Sequence, residues 1–221
     1  MKSHITSKHI IRGIIYFMGM LMTGLGVNVL LRSALGAGAW DTVVYNLRSF
    51  IINILEFNVT LGTVSFFIYA IVLGCVMLYY KKIKYMFVVI PIFGIALSID
   101  FWDLVVLSQN YPTQLGVRFL LYGLGIIILT LGLALIIVTK YPAMVFDELT
   151  LLLMKLFKSK SFFITRIFIE LFAIVIASIL GFFGNIGFGA VNLGSFILAL
   201  VIGPLIEIHL KYLKYITQSL F

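Results

Sequence analysis

The sequence predicts an all-α polytopic membrane protein: six transmembrane helices forming two inverted three-helix repeats, each with a short re-entrant or interfacial amphipathic helix after its first span. Three observations predict it. Of 221 residues, 62% are hydrophobic and 11% charged, at a mean hydropathy of +1.18; soluble domains average roughly 45–50% apolar and about 25% charged. Six apolar runs each approach the roughly 20 residues needed to cross a hydrocarbon core about 30 Å thick. The chain also matches itself at a fixed shift, carrying two repeats, about 10–107 and about 116–213, in one membrane domain.

The runs read as spans are 12–32, 59–80, 85–107, 117–139, 161–182 and 188–210. Lys2, Lys8 and Arg12 before the first run, with small residues at Ala37 and Ala39 after it, have the look of a cleavable signal. The apolar stretch from Gly13 to Leu31 is longer than the 7–15 residues of a signal core, so it is read as a span. Segment 39–56 has its own period: Trp40, Val43, Val44, Leu47, Ile51, Ile54 and Leu55 share one helical face, while Asp41, Tyr45, Arg48, Ser49 and Glu56 take the other. It either lies in the headgroup plane or dips in as a half-helix. Segment 142–158 is its counterpart.

Charge bias chooses six spans over eight. With the N-terminus inside, the cytoplasmic side receives Lys2, Lys8, Arg12, Lys81, Lys82, Lys84, Lys140, Lys155, Lys158, Lys160, Lys211 and Lys214; the outer side receives Arg32, Arg48 and Arg118. That asymmetry is the positive-inside pattern, and it places both termini in the cytoplasm. Making 39–56 a full span would put Lys81, Lys82 and Lys84 outside. The net charge of +8 therefore points to a lipid surface and not to nucleic acid. Cys75, the single cysteine, excludes a disulfide framework and a thiolate metal site, and is expected to face lipid or fill packing.

A shift of 106 positions lays residues 16–41 on 122–147, matching Tyr16 to Tyr122, Gly19 to Gly125, Gly26 to Gly132 and Asp41 to Asp147. Further along the same shift, Leu47 meets Leu153, Phe57 meets Phe163 and Ile68 meets Ile174. Three spans per repeat is an odd number, so the second repeat enters from the opposite face. Inverted repeats with short helices at matching positions are a secondary-transporter architecture, with the site near the midplane.

Candidate binding residues follow from that frame. Gly36 and Gly38 suit a tight reversal with exposed amides, and Pro142 suits the first turn of the second short helix. Asp41 and Asp147 either satisfy helix N-termini or accept a cation or proton. Glu170 lies about 13 Å into the fifth span at 1.5 Å per residue, near the bilayer centre, which makes it a functional candidate. Arg166, one turn earlier, offers either an i, i+4 ion pair or part of the same site. Asn28 and Arg32 share a face of the first span; Arg32 either reaches outer headgroups or, turned inward, anchors an anion. Asp100, Trp102 and Asp103 read as an interfacial anchor that Arg118 can pair. The glycine-rich stretch 180–190 lacks the setting of a phosphate loop and is expected to be a flexible outer connection. His4, His9 and His209 are scattered, and no nucleophile grouping or metal-spaced set occurs. No enzyme, metal or cofactor is expected.

The stretch Gly24 to Leu47, G-L-G-V-N-V-L-L-R-S-A-L-G-A-G-A-W-D-T-V-V-Y-N-L, resembles the signature of bacterial YczE/YyaS/YitT-type integral membrane proteins, nearest the YczE branch. Such proteins often repeat an L-G-x-G-P-x-D-like element; here the second copy reads K-Y-P-A-M-V-F-D, keeping Pro142 and Asp147 without the glycines. The resemblance implies a bacterial plasma-membrane protein of about this size. The expected function is a small secondary transporter or exporter of an unidentified solute, with a proton or cation as coupling ion. The alternative is a non-transporting partner: the substrate-binding subunit of an ATP-driven importer, or an accessory of an export or signalling complex, with a homo-oligomer or ATPase as partner.

Overall fold

The computed structural model describes residues 2–107 and 111–217, and side chains from Lys8 to Ile216; the side chains of Lys2 and His4 lie outside the described residues. Among the described residues eight α-helices follow in order: α1 (Lys2–Ser33), α2 (Ala39–Leu55), α3 (Leu61–Tyr80), α4 (Val89–Asp100), α5 (Leu115–Val138), α6 (Val145–Phe157), α7 (Phe162–Phe183) and α8 (Leu193–Thr217). A 3₁₀ segment, Ile83–Val88, leads into α4, and a π-helical segment, Phe101–Val106, ends it. Six helical stretches are long and apolar enough to span: Lys8–Ser33, Leu61–Tyr80, Ile83–Val106, Leu115–Val138, Phe162–Phe183 and Leu193–Ile216. The last begins five residues later than the sequence suggests. The Asn192 side chain fixes that start by accepting from the Leu193 N–H (2.8 Å), after a turn in which Gly187 and Gly189 hold positive φ.

Close approach of α1 and α5 organises the centre. A Cβ at Gly26 would lie 2.6 Å from the Leu129 Cα, and one at Gly132 would lie 2.6 Å from the Thr23 N. Gly19 faces Ile136 in the same way, and Gly125 faces Leu30. In lipid, where apolar side chains gain little by leaving the solvent, such backbone contact supplies much of the association. Both helices end alike. The Ser33 hydroxyl donates to the Leu30 carbonyl (2.6 Å) and accepts from the Leu35 N–H, with Ala34 left-handed; the Thr139 hydroxyl donates to the Ile136 carbonyl (2.7 Å) and accepts from the Tyr141 N–H, with Lys140 left-handed.

Around this pair, α4 packs on α1 and α8 on α5, while α2 packs on α7 and α3 on α6. The N-terminal half of α2 is buried within the bundle, and its last residues, Ile54 and Leu55, are exposed. Asn46 locks α2 to the far end of α7: its amide donates to the Ala177 and Phe188 carbonyls (2.7 and 3.0 Å), and its oxygen accepts from the Ala190 N–H (3.0 Å). The stretch 180–190, expected to be a flexible connection, is thus held by a buried amide. Cys75 is exposed on the outside of α3, within the spanning region, as expected.

Candidate functional site

The N-terminal turns of α2 and α6 come together against α1, α3, α5, α7 and α8. Trp40 stacks on Phe146 with centroids 4.6 Å apart at 23°, and Tyr69 of α3 meets Phe146 edge-on at 5.0 Å. Beside these rings lies a cavity of about 80 Å³ whose polar lining includes Thr23, Asp41, Tyr69, Asp147, Arg166 and Glu170. A cavity of that size holds several waters or one small polar group.

Asp41 is buried, at 9% exposure. Its Oδ1 accepts from the Tyr69 hydroxyl at 3.1 Å, and its Oδ2 has no donor among the described residues. Gly38, the N-cap of α2, makes room for that oxygen, because a Cβ there would collide with it. Arg166 joins the other two carboxylates: its Nη1 donates to Asp147 Oδ1 (2.6 Å) and its Nε to Glu170 Oε1 (2.8 Å). Three carboxylates thus line the cavity with one guanidinium, which bonds Asp147 and Glu170 and not Asp41. The Trp40 Nε1–H, also buried, has no acceptor among the described residues, and buried donors of this kind are rare.

The two aspartates differ in access. The Asp147 side chain is 49% exposed and the Arg166 side chain 22%, whereas Asp41 and Glu170 are buried. Asp147 and Arg166 also line a second space of about 290 Å³ between α7 and α8, walled by Phe162, Phe163, Ile167, Leu200 and Pro204. The Arg166–Asp147 pair, with Ile202 and Ile206, thus lines both the cavity and a neighbouring apolar groove.

Five of the residues expected from sequence line the cavity: Gly38, Asp41, Asp147, Arg166 and Glu170. Asn28, Arg32 and Gly36 do not. Arg32 turns inward and pairs with Asp103 (2.9 Å) at 6% exposure, which corrects the headgroup-facing alternative. The Asn28 amide donates to the Gly24 and Ile99 carbonyls, and its oxygen accepts from Arg32, so its capacity goes to joining α1 to α4. Gly36, at φ +129°, lies against the Gly194 and Ser195 backbone, and the Ala37 N–H donates to the Ser195 hydroxyl. At Gly36 this reversal lies against α8, while Gly38, at the start of α2, lines the cavity. Asp103 pairs with Arg32 and not with Arg118, whose guanidinium donates to the Ser33 and Ala34 carbonyls. Asp100 accepts from the Thr60 hydroxyl and the Gly62 N–H, tying α4 to the start of α3. Pro142 precedes α6 by three residues; its carbonyl accepts from the Tyr16 hydroxyl (2.6 Å).

Trp40, Tyr69 and Phe146 were not singled out from the sequence. Tyr69 lies inside an apolar span with no local signal, but Trp40 and Phe146 coincide at the shift of 106 and carried a usable one. Among the described residues no group of three or more His, Cys, Asp or Glu is arranged to hold a metal ion.

A model described as a family of unknown function, DUF6198, matches residues 10–211. The chain is similar to the uncharacterized protein YyaS of Bacillus subtilis (strain 168), at 29% identity over 197 residues, which cover 88% of this chain and 93% of that protein. No solved structure matches it.

Proposed function

From the premise that the chain belongs to the DUF6198 family, of unknown function, and is a multi-pass membrane protein of bacterial type, we propose that it is a small secondary transporter or exporter. The observation that carries the reading is the cavity in which the first turns of two short helices, with Asp41 and Asp147, meet beside Arg166 and Glu170.

Inverted repeats support it. At the shift of 106, contact Gly19 to Ile136 becomes Gly125 to Leu30, and Gly26 to Leu129 becomes Gly132 to Thr23, as a two-fold axis between α1 and α5 requires. The same shift exchanges the Ser33 and Thr139 helix ends, and it relates Trp40 to Phe146, which stack on each other. Element packing is exchanged too: α1 on α4 with α5 on α8, and α2 on α7 with α6 on α3. Beyond the short helices the shift becomes 101, because α6 has 13 residues where α2 has 17 and the turn after it, 158–161, is one residue shorter than 56–60. Thr60 then corresponds to Ser161, each an N-cap accepting from the N–H three residues on, and Tyr69 corresponds to Glu170. The contacts Tyr69 to Asp41 and Glu170 to Asp147 through Arg166 become counterparts. On this register the coincidences at Phe57 and Ile68 arise from composition.

With the N-terminus cytoplasmic, α2 re-enters from outside and α6 from inside. Half-exposed Asp147 and buried Asp41 then describe access from the cytoplasm, and exchange of the two repeats' environments would yield the outward-open state. A buried carboxylate with no cation beside it suits Asp41 to carry a proton or cation with the solute.

The test is flux in proteoliposomes loaded with a pH-sensitive dye, under an imposed potassium diffusion potential, with amines, amino acids and organic anions added in turn. One class should move protons through the wild type and not through folded Asp41→Asn or Glu170→Gln. Flux absent for every class, or equal in wild type and variants, overturns the proposal.

A further inference from the structure

The proposed transport site leaves its ligand unnamed, and the cavity's chemistry narrows it. We infer that the site takes an amphipathic ammonium compound, its charged head against Asp41 and its apolar body in the groove between α7 and α8.

Four observations converge. The lining carboxylates outnumber its cations three to one, and Arg166 already holds Asp147 and Glu170. Asp41 is left as the carboxylate without a cation: it lines the cavity at 9% exposure, and its Oδ2 has no donor among the described residues. The adjoining wall is aromatic, formed by Trp40, Tyr69 and Phe146, and ring faces attract ammonium groups within about 6 Å. Trp40, whose Nε1–H has no acceptor among the described residues, belongs to this wall and lines the cavity. Size completes the argument: about 80 Å³ admits a head group, while an apolar body must extend past Arg166 into the neighbouring 290 Å³. That groove is walled by Phe162, Phe163 and Leu200, all exposed. An ammonium head with an apolar tail matches both compartments. An anion would have only the N–H groups of Arg166 that Asp147 and Glu170 leave over, with three carboxylates lining the same cavity.

The inference rests on the transport reading only for its biological meaning, so binding is measured apart from flux. Isothermal titration of the detergent-purified wild type uses three matched probes: 2-amino-1-phenylethanol, the uncharged 1-phenylethanol and the anion mandelate. The amine should bind at least tenfold more tightly than the alcohol, with mandelate weakest, and Asp41→Asn should remove the amine's advantage while leaving the alcohol unchanged. Mandelate equal to or tighter than the amine, no amine binding, or an amine affinity unchanged in folded Asp41→Asn overturns the inference. Should Asp41→Asn fail to fold, the probe ranking on wild type decides alone. Repeating the titration in nanodiscs separates two sources of the same chemistry. Amine affinity reduced by phosphatidylethanolamine, relative to discs of phosphatidylglycerol alone, identifies a lipid headgroup as the occupant, and affinity equal in the two identifies a free solute. Amine binding without flux in proteoliposomes would remove the transporter reading and keep the ammonium site. Flux of mandelate without amine binding would do the reverse.

Discussion

Asp41 and Arg32 show two fates of a charge inside this bundle. Arg32 and Asp103 lie 2.9 Å apart at single-digit exposure, and the guanidinium also donates to the Asn28 side-chain oxygen. Removing one partner of a buried pair is damaging because the other charge is stranded, typically by about 3–5 kcal/mol, whereas replacing both with apolar residues is often neutral. Arg32→Met should therefore lower unfolding free energy in detergent by about 3–5 kcal/mol, and Arg32→Met with Asp103→Leu should recover most of it. A double variant no more stable than the single would show that Arg32 acts through something other than this pair. Asp41 has a hydroxyl for company and no cation, so Asp41→Asn should leave stability within about 1 kcal/mol while removing ligand response, a change read by melting with and without 2-amino-1-phenylethanol. The sequence offered both charges as candidates, Arg32 from the helix face it shares with Asn28 and Asp41 from its match to Asp147 at the shift of 106. It did not announce their partners: Arg32 and Asp103 are 71 positions apart, and nothing local in α1 says which outer-end carboxylate will face it.

Among the elements, α1 and α5 carry the most legible signal, because glycines recurring on one helix face mark where two backbones touch. Gly26 and Gly123 make a controlled comparison. Both sit inside long helices, where alanine gains up to about 1 kcal/mol over glycine in propensity. A Cβ at Gly26 meets the Leu129 backbone at 2.6 Å, while one at Gly123 meets nothing within 4 Å. Gly123→Ala should be neutral or mildly stabilising, and Gly26→Ala should cost about 1–3 kcal/mol by forcing the helices apart. Equal melting temperatures for the two variants would mean that the α1–α5 contact yields without penalty. The short helices were legible in existence and nearly in extent, 39–56 against Ala39–Leu55 and 142–158 against Val145–Phe157. Their surroundings were not. Amphipathicity describes one face, and α2 buries polar Asp41, Thr42 and Asn46 as well as valines, because α7 supplies carbonyls to receive Asn46. Asn46→Ala should accordingly strand those groups and cost about 1–3 kcal/mol, visible as faster amide exchange in 180–190; unchanged exchange there would assign the order of that stretch to packing alone.

For the whole molecule, the proposed transport requires that α2 and α6 enter from opposite faces, since alternating access by exchange of repeats depends on it. Basic residues argue for this: Lys155, Lys158 and Lys160 cluster at the end of α6, whereas the end of α2 carries Arg48 and Glu56. The native Cys75 is exposed and can be replaced by serine, leaving a cysteine-free background. Single cysteines at Glu56 and Lys158 then report the two helix ends, each the left-handed residue that stops its helix. A membrane-impermeant maleimide applied to intact cells should label the Glu56→Cys protein at once and the Lys158→Cys protein only after permeabilisation. The reverse pattern would flip the orientation and keep the inverted repeat. Labelling of both from the same side would be incompatible with three spans per repeat, because α3, α4 and α5 carry the chain across an odd number of times between these two positions. In that case the relation between Asp41 and Asp147 would be proximity without symmetry, and the cavity would lose its claim to alternate between faces while keeping its claim to bind.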